Sequence, residues 1–143
     1  MTERTSFMAD YVAKTASNTF VVTAEKAFHA AMAEIENDLI SAPASSGEPG
    51  SVYVYSESDH GTWPSERYDP ATDDYVSLDI PALIGPHLAG EEVVVLKEAG
   101  AEKTRYVGGV AVAFNAAGET VTVNLDEIYG RANHLGKALA HDV

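Results

Sequence analysis

Cysteine is absent from the 143 residues, and with it go disulfides, thiolate nucleophiles and cysteine-ligated zinc. Basic residues are scarce: nine Lys and Arg stand against 22 Asp and Glu, a formal net charge of -13. A chain so charged has little with which to displace counterions from a phosphate backbone. Direct nucleic-acid binding is therefore disfavoured, and a basic protein surface, such as that of a nucleic-acid-binding protein, is the expected partner. Plain solubility, or solvation in a salty cytoplasm, produces the same excess.

No apolar run is long enough to span a bilayer, and residues 1–10 lack a charged-then-apolar export signal. The expectation is a cytoplasmic protein with no membrane partner. Also missing are the G-x-S-x-G elbow, H-E-x-x-H, the phosphate loop, G-x-G-x-x-G and the calcium-binding loop. No catalytic residue, metal ligand or cofactor is therefore assigned. The length fits one domain, 1–143, able to bury roughly two-thirds of its unfolded surface.

Residues 91–125 carry the strongest pattern. Val121, Val123 and Leu125 alternate with Thr120, Thr122 and Asn124, as in a strand with one dry face. Val110, Val112 and Phe114 alternate with Ala111 and Ala113. Between the two runs, residues 115–118 read as a four-residue hairpin loop closed by Phe114 and Glu119, which places Val112 opposite Val121 and Val110 opposite Val123. The run Val93-Val94-Val95-Leu96 predicts a central strand, turning at residues 98–101 so that Lys97 meets Glu102. Gly108-Gly109 reads as a bulge or a sharp bend that curls the meander.

Elsewhere, a stripe of Phe7, Tyr11 and Thr15 predicts a short N-terminal helix, followed by an extended link at Phe20-Val21-Val22. Thr23 reads as the cap of an amphipathic helix over about 23–40, with Phe28, Ala31, Met32, Ile35 and Leu39 inward. His29 adjoins that face as a packing residue. Val52 and Val54 alternate with Tyr53 and Tyr55, with the valines inward. Asp79 before Pro81 predicts a capped turn of helix, and Asp126 starts another.

Two long loops remain, 41–50 and 57–74. The second is rich in breakers and carboxylates, yet it holds Trp63 and Tyr68 close to Tyr53, Tyr55 and Tyr75. Tyr53, Tyr55, Asp59, Trp63, Glu66, Tyr68, Asp69, Asp73 and Asp74 are the candidate partner-binding residues, rings supplying the anchor and carboxylates the surround. The alternative use of this loop is hydrolytic, with Asp59 and His60 as acid and base. His134 and His141, seven apart, make a weaker metal-binding candidate.

The expected fold is α+β: a curled antiparallel sheet of four or five strands, SH3-like or a half-barrel, with the 23–40 helix packed on it. The expected function is that of a small acidic binding or regulatory protein engaging a basic partner. Its extreme form is a nucleic-acid-mimicking inhibitor encoded by a mobile element; a structural protein of a salt-adapted cell is the remaining alternative. A homo-oligomer is compatible with all of these.

Overall fold

In the computed structural model, residues 11–34, 38–45, 47–103 and 106–138 are described. They form an α+β arrangement of open antiparallel sheets with a few short helices. In chain order the elements are β1 (Tyr11–Ser17), β2 (Phe20–Val21), α1 (Glu25–Ala33), β3 (Leu39–Pro43), β4 (Ser51–Ser56), β5 (Glu66–Asp69), β6 (Asp74–Ser77), α2 (Ile80–Ile84), β7 (Val94–Glu102), β8 (Tyr106–Phe114), β9 (Thr120–Asn124) and α3 (Glu127–Arg131). Single 3-10 turns follow α2 and α3. The sheet orders are β1-β7-β8-β9, β2-β4-β3 and β5-β6.

The core lies between the inner face of the four-stranded sheet, the three-stranded sheet and α1. Phe20, Phe28, Val52, Val54, Val94 and Phe114 are fully buried there. Phe20 and Phe28 meet edge to face at 6.0 Å. Val52 and Val54 point inward, as the alternation of β4 requires. Asp79 caps α2 by accepting the Ala82 N–H at 3.1 Å, with Pro81 in the first turn. Asp126 occupies the N-cap of α3 but makes no side-chain cap bond, and an irregular end follows.

The two larger sheets meet along a seam. Ser17 Oγ accepts the Val54 N–H at 2.9 Å and Thr15 Oγ1 the Ser56 N–H at 3.0 Å, so hydroxyls of β1 stand in for ladder carbonyls beside β4. This explains why the chain near Tyr11 is a strand and not the expected helix. A stripe at multiples of four is also a stripe at multiples of two, so Tyr11 and Thr15 fit the inner face of a strand together with Ala13 and Ser17. Pairing of all seven residues of β1 with β7 decides the matter. The first turn of that expected helix, residues 7–10, lies outside the described residues.

The helix expected over 23–40 is shorter. It runs Glu25–Ala33, its N-cap is Ala24 with no side-chain bond, and only Phe28 and Met32 of the stripe are buried in it. Ile35 lies outside the described residues. Leu39 is buried, but in β3, paired with Ser56. The expected 41–50 loop is shortened accordingly, because strand β3 extends to Pro43. Tertiary pairing with β4 outweighs local helical spacing here.

The meander keeps its strands and changes its registers. β7 does not turn at residues 98–101; it runs on to Glu102, so Lys97 stands beside Ala111 and Ala16 instead of Glu102. Gly100 lies within the strand because an added Cβ would sit 2.6 Å from the Val12 carbonyl oxygen. Gly108 and Gly109 pair in register with Gly100 and Ala99, with no bulge between them.

At the second hairpin Asn115 faces Glu119, leaving three loop residues. Gly118 N–H bonds the Asn115 carbonyl at 3.1 Å, Gly118 has φ +88°, and Glu119 N–H bonds Asn115 Oδ1 at 3.0 Å. A three-residue loop with glycine in the left-handed position is a favoured hairpin connection. It slides the pairing one residue from expectation, to Val112 with Thr122 and Ala113 with Val121. One residue of slip reverses a strand's faces. Val121 and Val123 therefore lie opposite to Val110 and Val112, and are 68% and 55% exposed.

Candidate functional site

Half of the expected loop 57–74 is a hairpin. β5 and β6 pair Tyr68 with Tyr75 and Asp69 with Asp74. The turn between them is built by its own acids. The Asp69 carbonyl accepts N–H groups from Thr72 and Asp73, Asp69 Oδ1 accepts from Ala71, and Tyr68 donates its hydroxyl to Asp73 Oδ1. Asp74 Oδ1 accepts the Tyr75 N–H. Three of the candidate carboxylates thus shape the turn that holds the rings. Tyr68 and Tyr75 meet edge to face at 5.7 Å and 67°.

Trp63 precedes this hairpin and packs against the core. Its backbone N–H donates to Glu98 Oε1 at 3.1 Å. Its indole Nε1 is buried without a hydrogen-bond partner. Glu98 also accepts the Tyr11 hydroxyl, at 3.3 Å on Oε2. Burial, and then the Glu98 charge, raise the Tyr11 pKa above the ordinary tyrosine value.

Trp63, Glu66, Tyr68 and Tyr75 line one cleft of about 680 Å³, joined by Asp38 from just before β3. Asp38 is placed there by backbone pairing, its carbonyl accepting the Glu57 N–H at 2.8 Å. Ring faces beside two carboxylates, with little apolar enclosure, suit a cationic group whose stem lies on the rings and whose charge meets the acids.

The candidate set divides into three places. Trp63, Glu66 and Tyr68 share the aromatic cleft. Asp69, Asp73 and Asp74 stand at the end of its hairpin. Tyr53 and Tyr55 stack at 6.0 Å on the half-buried face of β4. Tyr55 joins Asp59 and His60 in a second cleft of about 340 Å³, with Lys14 from β1. Partial burial, then the Glu57 carboxylate, raise the Tyr55 pKa. The His60 carbonyl accepts the Ala13 N–H at 2.8 Å, tying this second loop to the β1 edge.

Sequence reasoning missed Asp38 and Glu98 for the site. Asp38 fell within the helix expected over about 23–40, and Glu98 in the turn expected at residues 98–101. Only the strand pairings bring them to Trp63. His29 lies half-buried against Phe28, with Nδ1 2.7 Å from Ser41 Oγ and Nε2 3.3 Å from Glu25. Among the described residues no three His, Asp or Glu side chains are grouped to hold a metal ion; His141 lies outside them. Among the same residues no helix is long and apolar enough to cross a membrane. Compared with family models, curated proteins and solved structures, the chain matches none.

Proposed function

We propose that this protein is a small acidic, non-enzymatic binding module that takes a basic side chain of a protein partner into the cleft between Trp63 and the β5-β6 hairpin. The observation that carries this reading is the convergence of Trp63, Tyr68 and Tyr75 with Glu66 and Asp38 on one cleft, in a chain of net charge -13. An arginine or lysine from the partner lays its stem on the rings and its charge against the carboxylates, while the wider acidity steers the approach.

Trp63 is the only tryptophan, so its fluorescence reports the cleft directly. Titration with arginine-rich and lysine-rich peptides should give a saturable change that is lost as salt rises, with no change for an acidic peptide of equal length. Glu66→Gln and Asp38→Asn should each weaken binding by about three- to tenfold, corresponding to one charge-assisted contact on an exposed site. Equal response to basic and acidic peptides, or none to either, rejects the proposal.

The nucleic-acid-mimicking form of this reading has its own support. Glu57, Asp59, Glu66, Asp69, Asp73 and Asp74 all fall between β4 and the start of β6, whereas no carboxylate faces outward from the strands of the four-stranded sheet. A basic partner that binds DNA should then release a labelled duplex on addition of this protein. Unchanged duplex binding, with peptide binding intact, would leave the cleft and remove the mimicry.

A further inference from the structure

His29 is held from both sides by groups that the aromatic cleft does not use. Its Nε2 lies 3.3 Å from Glu25 Oε2, one helical turn earlier on α1, and its Nδ1 lies 2.7 Å from Ser41 Oγ on β3. An ionised carboxylate can only accept, so Glu25 fixes the proton of the neutral ring on Nε2. Nδ1 keeps its lone pair, and the Ser41 hydroxyl donates to it. Nucleophile, base and orienting carboxylate thus stand in the order that activates a serine for attack on a carbonyl.

Strand pairing places that serine at a cleft. The Asp38 carbonyl accepts the Glu57 N–H and the Ala44 N–H bonds the Ser51 carbonyl, so backbone bonds from this stretch to β4 alternate, and Ser41 turns its own N–H away from β4, toward the edge of the three-stranded sheet. That N–H stands beside Ser41 Oγ, as a donor for the oxygen of a carbonyl under attack. Between α1 and β3 lies a cleft of about 320 Å³, lined by Met32, Leu39, Ile40 and Pro43 together with His29 and Ser41. The activated hydroxyl and an apolar seat for an acyl chain share one place.

We propose that Ser41 is the nucleophile of an acyl-transfer site that hydrolyses esters of short apolar acids, with His29 as its base and Glu25 as a positioning residue. This goes beyond the binding reading: the aromatic cleft binds without chemistry, and a separate site adds hydrolysis. In the first step Ser41 Oγ bonds the acyl carbon, its proton passes to His29 Nδ1, and the carbonyl electron pair moves onto oxygen. Collapse breaks the bond to the alcohol, which leaves with the proton from Nδ1. Water then attacks the acyl-serine, giving a proton to Nδ1 that returns to Ser41 Oγ as the acid departs. Ester and water become acid and alcohol, with no other reactant.

The full-length protein is mixed with para-nitrophenyl acetate and butyrate, and separately with a fluorophosphonate probe. A burst of nitrophenol followed by steady turnover is expected, with kcat/KM about tenfold higher for the butyrate because two more methylenes are buried. Mass spectrometry should place the phosphonate on Ser41. Ser41→Ala, close in size and checked for its fold by circular dichroism, should lose burst and adduct alike. Glu25→Gln should lower kcat about tenfold and leave KM unchanged, since it acts through the base and touches no substrate. The adduct is read on the parent protein, so the result stands whether or not a variant folds. A hydrogen-bonded clip that only ties α1 to β3 gives no adduct and no turnover above that of free imidazole, and that outcome overturns the inference. So does turnover undiminished in Ser41→Ala, an adduct on another residue, or equal rates for the two esters.

Discussion

Glu98 joins three parts of the molecule through one carboxylate: its own strand, the Tyr11 hydroxyl of β1 and the Trp63 N–H of the cleft. The Tyr11 pKa is raised above the ordinary tyrosine value, by burial first and by Glu98 second. A folded acid with a raised pKa holds its proton where the unfolded chain has lost it. Its stabilising contribution is complete below pH 10 and disappears as pH rises through the folded value. Glu98→Gln removes the charge and part of the shift. Denaturation on either side of pH 10 should therefore show a shallower alkaline loss in that variant than in the parent. Trp63 differs, because its buried Nε1 has no acceptor. Trp63→Phe removes that unpaired donor and should leave stability within about 1 kcal/mol of the parent. Trp63→Ala opens a hole beside the core and should cost about 2–4 kcal/mol by urea denaturation.

The hairpin of β8 and β9 depends on Asn115, whose side chain accepts the Glu119 N–H and donates to Glu119 Oε1 at 2.7 Å. Asn115→Ala removes both bonds at an exposed turn and should cost about 1 kcal/mol. The same turn sets the register that turns Val121 and Val123 outward. Deleting Ala117 leaves Asn115, Ala116 and Gly118 between Phe114 and Glu119, so a three-residue loop then favours the competing register. Broadening or doubling of the Val121 and Val123 methyl signals by NMR would report it. β1 and β4 illustrate the other way elements join here, with hydroxyls of one strand receiving amides of the next.

For the whole molecule, that seam is what makes one body of two sheets. Val54 is fully buried, so Ser17→Ala leaves its N–H without an acceptor and should cost about 1–3 kcal/mol. Faster hydrogen exchange at the Val54 and Ser56 amides than in the parent is the local signature, and exchange unaltered at both would place the seam's strength elsewhere. Glu66, Asp69, Asp73 and Asp74 stand on the β5-β6 hairpin with Tyr68 and Tyr75, and the charges that the strands of the four-stranded sheet turn outward are Lys14 and Lys97.

Local chemistry alone was enough to place strands β4, β7, β8 and β9, the inward valines of β4, the Asp79 cap and the ring-bearing acidic segment, because alternation, capping and breakers act within a few residues. It did not determine registers or faces. A stripe of Tyr11 and Thr15 satisfies helix and strand alike, Leu39 fits a helical stripe and a strand equally, and a three-residue or four-residue loop reads almost the same between 114 and 120. These alternatives differ little in local energy, so long-range pairing decides among them: β1 along β7, β3 along β4, and Asn115 across from Glu119. Only that pairing carried Asp38 and Glu98 to Trp63 and turned the valines of β9 to the outside, since residues tens of positions apart interact only after the chain has folded.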